Sequence, residues 1–440
     1  MPSGTYLFTK NFLWGCATAA HQVEGRNENN TWFAWEQEDG RILEGAHSGL
    51  ACDWWGGRWR EDFDRAQAAS QNAHRLSIEW SRIQPAPDRW DEDALDRYRE
   101  MLIGLHERKM TPMVTLHHFS EPLWVAEKGG WENEAIIELF AAFVMKSVEA
   151  LMPYCSLWVT INEPNVYAFH AYIEGVFPPG KKDPKLALQV LAHMVRAHAR
   201  AYHIIHDLQP EARVGCAINY RGFKPAGWFP ADRWVAKAYS RLFNDTFPRA
   251  LHSGLFDSII KKHTIPGAAG TLDFLGLNYF TCEQVRFSPL AIGAFFGRRS
   301  FPQDALLSET GMIAHHPFGI IDCVRWGSQF GVPMIITENG VDDQEDDLRP
   351  QYILEHLHDL WRVIQNYYPV QGYFHWTLVD NFEWERGWTQ HFGLWGLDLE
   401  TQARLRRPSA SMYADICRTN GISSDVVEEY APQSLPKLFP

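Results

Sequence analysis

Eight apolar runs rich in β-branched and aromatic residues punctuate this chain, with longer stretches of helical spacing between them. The runs are Phe12–Thr18, Ala73–Glu79, Pro112–His117, Leu157–Asn162, Val214–Asn219, Phe274–Tyr279, Pro333–Thr337 and Tyr373–Leu378. The helical stretches include Trp59–Ser70, Asp91–Arg108, Glu134–Met152, Leu186–Leu208, Asp232–Leu251, Ile320–Phe330 and Gln351–Tyr367. Strands separated by helices run parallel, because each crossover returns the chain to the same end of the sheet. Eight such units in 440 residues predict an α/β fold, a single-domain (β/α)8 (TIM) barrel over residues 1–440 with loop insertions at its C-terminal face. An open, doubly wound sheet is the alternative, but no G-x-G-x-x-G follows the first run.

Such a barrel gathers its chemistry where the strands end. Glu163, in Thr160-Ile161-Asn162-Glu163-Pro164, falls at the end of the fourth run, and Glu338, in Ile336-Thr337-Glu338-Asn339-Gly340, at the end of the seventh. Strands four and seven lie nearly opposite around the mouth, so the two carboxylates face a substrate from two sides. Cleaving a glycosidic bond needs such a pair: a proton donor, and a nucleophile or base. Taken singly, each has a plainer reading, Glu163 as a helix cap and Glu338 as a polar residue before an Asn-Gly turn. A neighbouring carboxylate raises the pKa of Glu163, which suits an acid, while Arg75 in the second run is a partner that keeps Glu338 charged. The same face collects His117 and His118, Asn278 and Trp376. Asp380-Asn381-Phe382-Glu383-Trp384 follows the eighth run and pairs a carboxylate for hydroxyls with an indole for the apolar face of a sugar. The stretches Thr31–Gly57, Phe223–Phe229 and Arg286–His316 are expected to wall the pocket.

Composition excludes several classes. A net charge of -13 argues against a nucleic-acid surface, and the short cluster Arg404, Arg406, Arg407 reads as a solvated loop. Seven widely spaced cysteines without a C-x-x-C give neither a disulfide framework nor a zinc site. The segment Met1–Lys10 lacks the apolar core of a secretory signal, and no run of about 18 apolar residues offers a membrane span. A cytoplasmic compartment is the expectation. His117 and His118 are neighbours on a strand and point to opposite faces, so no metal is expected there. Of the 19 Trp, most belong to the core and a few to a sugar site.

The ordered series Phe12-Leu13-Trp14-Gly15, His21-Gln22-Val23-Glu24-Gly25, Arg75-Leu76-Ser77-Ile78-Glu79-Trp80, Thr115-Leu116-His117-His118-Phe119, Thr160–Pro164, Leu277-Asn278-Tyr279, Ile336–Gly340 and Asn381–Trp384 resembles glycoside hydrolase family 1, the β-glucosidase/β-galactosidase family. The likeness runs from Phe12 to about Pro408. It implies a retaining β-glycosidase that needs no cofactor and releases terminal β-D-glucosyl residues, with galactosyl and fucosyl as further glycones. The partners it implies are small β-glycosides or oligosaccharides. By matching position, Glu163 is the acid/base and Glu338 the nucleophile. Gln22, His118, Asn162, Glu383 and Trp384 match residues that hold the glycone, Trp376 matches the platform beneath it, and Arg75 and Asn278 match the surroundings of the nucleophile. Retention implies carboxyl groups about 5–5.5 Å apart.

Two departures stand out. The family's sixth strand usually reads Asn-Tyr-Tyr, the second Tyr donating to the nucleophile, whereas this chain has Phe280 there and Tyr279 is expected to face away. Many members carry a Trp before the seventh strand as an aglycone platform, and Gly311–Phe318 has none. Glu383 would repel a 6-phosphoglycoside, and the presence of Glu163 disfavours a thioglucosidase that lacks the acid. The remaining alternatives are a transglycosidase, or a catalytically impaired sugar-binding protein on the same scaffold. Such binding proteins typically lose one of the two glutamates.

Overall fold

The computed structural model describes residues 4–291 and 294–440. Its centre is a closed barrel of parallel strands: β1 (Leu13–Ala17), β2 (Ala73–Ser77), β3 (Thr111–His117), β4 (Leu157–Asn162), β5 (Arg213–Asn219), β6 (Phe274–Asn278), β7 (Met334–Asn339) and β8 (Val370–His375). Each strand pairs with the next in sequence, and β8 closes the ring on β1. A principal helix follows each strand: α1 (Trp59–Ala68), α2 (Glu92–Glu107), α3 (Ile136–Leu151), α4 (Pro184–Leu208), α5 (Thr246–Ser253), α6 (Phe318–Gly327), α7 (Arg349–Gln365) and α8 (Pro408–Thr419).

The apolar runs announce the strands because a barrel strand is covered on both faces, by the barrel interior and by the helices. All six residues of β4 are buried. The helices show one apolar stripe each: α3 buries Ile136, Phe140, Phe143, Val144 and Leu151, spaced for one helical face. Local chemistry sets the starts. The Asp91 side chain accepts from the Ala94 N–H at the head of α2 (2.9 Å), and Asp183 does the same for Lys185 (2.9 Å) before α4, whose first residue is Pro184.

Several boundaries differ from the sequence reading. Strand β7 runs on through Glu338 and Asn339, so Glu338 sits in the ladder opposite Asn278 rather than in a turn. Gly340 serves close approach: a Cβ there would lie 2.0 Å from the Trp376 carbonyl oxygen. Strand β8 starts three residues earlier than its apolar run because the mixed Val370-Gln371-Gly372 hides it, and Trp376 lies just past its end. The stretch from Asp232 to Leu251 is a helix, Pro230–Ser240, that passes into α5 through a π-helical turn, Arg241–Asp245.

The arginine cluster is not a solvated loop. The Arg404 side chain is buried and donates to both Asp62 oxygens (3.1 and 2.9 Å), and Arg407 forks onto Asp380 (2.9 and 2.8 Å). Only Arg406 is exposed. Their carboxylate partners are far away in sequence, so no local signal reveals the pairs. The insertions do stand on the C-terminal face, where Gly222–Pro225, Cys282–Phe287 and Gly297–Ser300 form a three-stranded sheet. Within the expected wall Arg286–His316, residues 292 and 293 lie outside the described residues.

Candidate active site

Arg75, fully buried on β2, ties four strands together. Its guanidinium donates to Glu338 Oε1 (2.5 Å), Asn162 Oδ1 (2.6 Å), the Thr337 carbonyl (3.2 Å) and Thr115 Oγ1 (3.1 Å). A charge this deep is tolerable only with such a full set of acceptors.

Glu163 follows β4 with φ 44° and ψ 55°, in the left-handed region that costs a residue with a side chain about 1 kcal/mol or more. The surroundings enforce it: the Glu163 N–H donates to the Ala217 carbonyl (2.8 Å), and Pro164 opens the short helix Pro164–Phe169. The kink breaks the strand's alternation, so neighbouring Asn162 and Glu163 reach one network. Asn278 Nδ2 donates to Glu163 Oε1 (2.8 Å) and to Asn162 Oδ1 (3.2 Å), while Asn278 Oδ1 accepts from Thr337 (2.5 Å). Asn278 thus makes its short contact with Glu163 while standing beside Glu338 in register. Asn219, at the end of β5, also donates to Glu163 Oε1 (2.9 Å). The sequence reading missed this residue; its signal was a polar residue closing an apolar run.

Burial raises both carboxyls. Glu338 is pushed up to about 8 by desolvation, against the pull of Arg75 and with the Glu163 charge adding to the rise. Desolvation also holds Glu163 above its ordinary value, against the donors Asn278 and Asn219. Two carboxyls so coupled titrate as a pair that keeps one proton at neutral pH. Contacts decide where it sits. Arg75 touches Glu338 and favours its charged form, while Glu163 receives only neutral amides on Oε1.

This has a measurable cost. The folded pair binds a proton that the unfolded chain releases near 4.5, so stability falls as pH rises from there through about 8. Glu338→Gln removes the share of that dependence that belongs to Glu338. Urea unfolding of wild type and variant is expected to show wild type losing about 2 kcal/mol relative to the variant between pH 6 and pH 9. Parallel pH profiles would contradict it.

The pocket above these groups has a volume of about 780 Å³, and His118, Glu163, Glu338, Trp376, Glu383 and Trp384 all line it. Gln22, after β1, donates to Glu383 Oε2 (3.1 Å) and to the Phe382 carbonyl (2.8 Å). Burial, then the Glu385 and Glu338 charges, push the Glu383 carboxyl well above its usual range. Trp384 stacks on His21 (5.9 Å between centroids) and packs on Trp32 of the Thr31–Gly57 insertion (4.8 Å). His118 lies between the rings of Trp376 and Trp384 (6.0 and 5.8 Å) and bonds Asn162 Nδ2 through Nε2 (2.9 Å). Its neighbour His117 points into the wall, 2.9 Å from Glu121. Among the described residues, the buried atoms Gln22 Oε1 and His118 Nδ1 have no hydrogen-bond partner. Among the described residues, no three His, Cys, Asp or Glu are grouped to hold a metal ion.

Phe280 lines the pocket and packs edge-on to Phe392 (6.2 Å). The Tyr279 hydroxyl faces away from the pocket and donates to the His316 carbonyl (2.8 Å). Phe280→Tyr adds a hydroxyl that can donate to Glu338 and favour its charged form. The acid limb of the kcat/KM profile is expected to move to lower pH in the variant. An unchanged profile would show the position to be indifferent.

A (β/α)8 barrel with two buried carboxylates at the strand ends, lining one pocket, is the arrangement of a glycoside hydrolase. The chain belongs to glycosyl hydrolase family 1, whose sequence pattern matches residues 5–422. Beta-glucosidase A of Thermotoga maritima is 30% identical, over 94% of this chain and 98% of its own. A beta-galactosidase of Pyrococcus woesei is 28% identical, over 96% of this chain and 99% of its own. The solved structure of a beta-glycosidase from Pyrococcus horikoshii superposes with a TM-score of 0.91 at 34% identity, covering 97% of this chain and 98% of that one.

Proposed function

We propose that this enzyme is a retaining β-glycosidase of the β-glucosidase type, acting on small β-glucosides and accepting galactosides and fucosides. The observation that carries the reading is the hydrogen-bonded network that joins Glu163 and Glu338 through Arg75, Asn162 and Asn278 at the pocket floor. Glu338 attacks the anomeric carbon while Glu163 protonates the leaving oxygen. Glu163, now a base, draws a proton from water, which releases the sugar with its β-configuration kept. Asn162, held by Arg75, is placed for the 2-hydroxyl, where a bond that strengthens in the transition state lowers the barrier.

The clamp supports a glycone rather than a phosphate. Gln22 Oε1 and His118 Nδ1 accept or donate no hydrogen bond among the described residues and can serve hydroxyls, and hydroxyls donated to Glu383 favour its charged form. Burial holds the His118 ring well below its usual range, so it meets the sugar as a neutral group. Relatives named as a beta-glucosidase and as a beta-galactosidase support a clamp that accepts either configuration at C4. No described helix is long and apolar enough to cross a membrane, and the seven cysteines are free and buried, which supports a reducing, cytoplasmic setting.

A panel of 4-nitrophenyl β-glycosides tests the proposal, with NMR of the first-formed sugar. Glucoside hydrolysis with initial β-glucose is the expected result. Intact sugar binding with no product from any glycoside would instead mark a binding protein.

A further inference from the structure

The helix Pro230–Ser240 packs Val235, Ala236 and Tyr239 against Val285 of the three-stranded sheet on the C-terminal face, with Phe223 and Phe287 beside them. Its one acidic residue, Asp232, is buried and accepts from the Phe287 N–H (2.7 Å). The other side of the helix is exposed and carries Arg233, Trp234 and Lys237, at the spacing of one helical face. The loop just ahead adds Trp228 and Phe229. Trp228 is 85% exposed, Trp234 62% and Phe229 53%. Among the described residues no other Trp is exposed, so this pair is exceptional in a chain that otherwise covers its indoles. Neither Trp lines the substrate pocket, and nor does Phe229. The charge here is opposite to that of the whole: residues 221–241 hold five Lys or Arg against one Asp, in a chain of net charge -13. Arg221, Lys224 and Arg241 pair with Glu283 (3.2 Å), Asp322 (3.3 Å) and Asp257 (2.8 Å), whereas Arg233 and Lys237 meet no carboxylate among the described residues.

We propose that this face docks the enzyme on an anionic phospholipid bilayer, on whose surface it rests without spanning it. Indole rings settle at the level of the headgroups, with the ring body among the acyl chains and the N–H in water. Arginine and lysine beside them lay their methylene stems on the apolar layer and pair their charge with lipid phosphates. The acidic remainder of the protein is repelled by the same bilayer, which leaves this face to approach it. A second copy of the chain fits less well. A two-fold pairing sets the patch against itself, and residues 221–241 expose no carboxylate to receive Arg233 and Lys237.

The test is co-sedimentation with vesicles of phosphatidylcholine, with and without about 30% phosphatidylglycerol. Wild type is expected to sediment with the anionic vesicles at low ionic strength, far less with phosphatidylcholine alone, and to be released by salt. Arg233→Gln with Lys237→Gln should lower the partition coefficient about 30-fold, about fivefold for each cation removed. Trp228→Ser with Trp234→Ser should lower it at least about tenfold. Both double variants are expected to keep wild-type kcat/KM on 4-nitrophenyl β-glucoside, which separates lost docking from lost folding. No sedimentation of wild type with the anionic vesicles overturns the proposal, and so does binding that both double variants retain. Light scattering on the free protein covers the competing occupant. A dimer that Trp228→Ser with Trp234→Ser converts to monomer assigns the patch to a second copy and also overturns the bilayer site.

Discussion

Glu338→Ala is expected to lower kcat on 4-nitrophenyl β-glucoside by at least about 10,000-fold, because the proposed mechanism runs through a covalent bond to this carboxylate. Sodium azide should restore turnover, since the small anion fits the space the carboxylate leaves. Azide attacks from the face that Glu338 occupied, so the product should be the α-glucosyl azide, inverted at the anomeric carbon. The neighbours sharpen the expectation. Arg75, which bonds Glu338 at 2.5 Å, keeps Asn162 as a partner at 2.6 Å, so the site stays organised and can attract the anion. A variant with wild-type activity, or a β-azide product, would remove Glu338 from the nucleophile's role.

Glu163→Ala should behave differently, and the difference is what separates the two carboxylates. Loss of a general acid costs about 100- to 10,000-fold where the leaving group needs a proton, and little where it does not. Alkyl β-glucosides should therefore lose most of their turnover, while 2,4-dinitrophenyl β-glucoside keeps a normal glycosylation step. The variant accumulates glucosyl-enzyme, which azide should release as the retained β-azide. Equal losses with good and poor leaving groups would contradict the assignment. Asn219 and Asn278, both within 2.9 Å of Glu163 Oε1, are neutral and do not substitute for the proton donor.

The barrel was legible because its strands are buried on both faces, so apolar run and strand nearly coincide, as in Leu157–Asn162. Strand ends were less legible, because a polar functional residue looks like a turn: Glu338 and Asn339 belong to β7 although they read as loop. The gathering of Glu163, Glu338, Arg75, Asn278, His118 and Trp376 on one face followed from counting strands. Asn219 escaped because nothing local distinguishes it from any other polar end residue. The pairs Arg404–Asp62 and Arg407–Asp380 escaped because contact between distant segments leaves no pattern in either one. Phe280 was visible only against the resemblance, since a phenyl ring at the end of an apolar run is otherwise unremarkable.

Arg407 lies late in the chain, yet its fork on Asp380 anchors the loop that carries Glu383 and Trp384. Arg404, just before it, fixes Asp62 of α1 and the Cys52 carbonyl of the first insertion. A ribosome therefore delivers all eight strands before it supplies these two side chains. The loop that carries Glu383 and Trp384 is therefore tethered only after the whole barrel has been made. Chains stalled or clipped ahead of residue 404 carry both strand-end carboxylates but leave the clamp loop untethered.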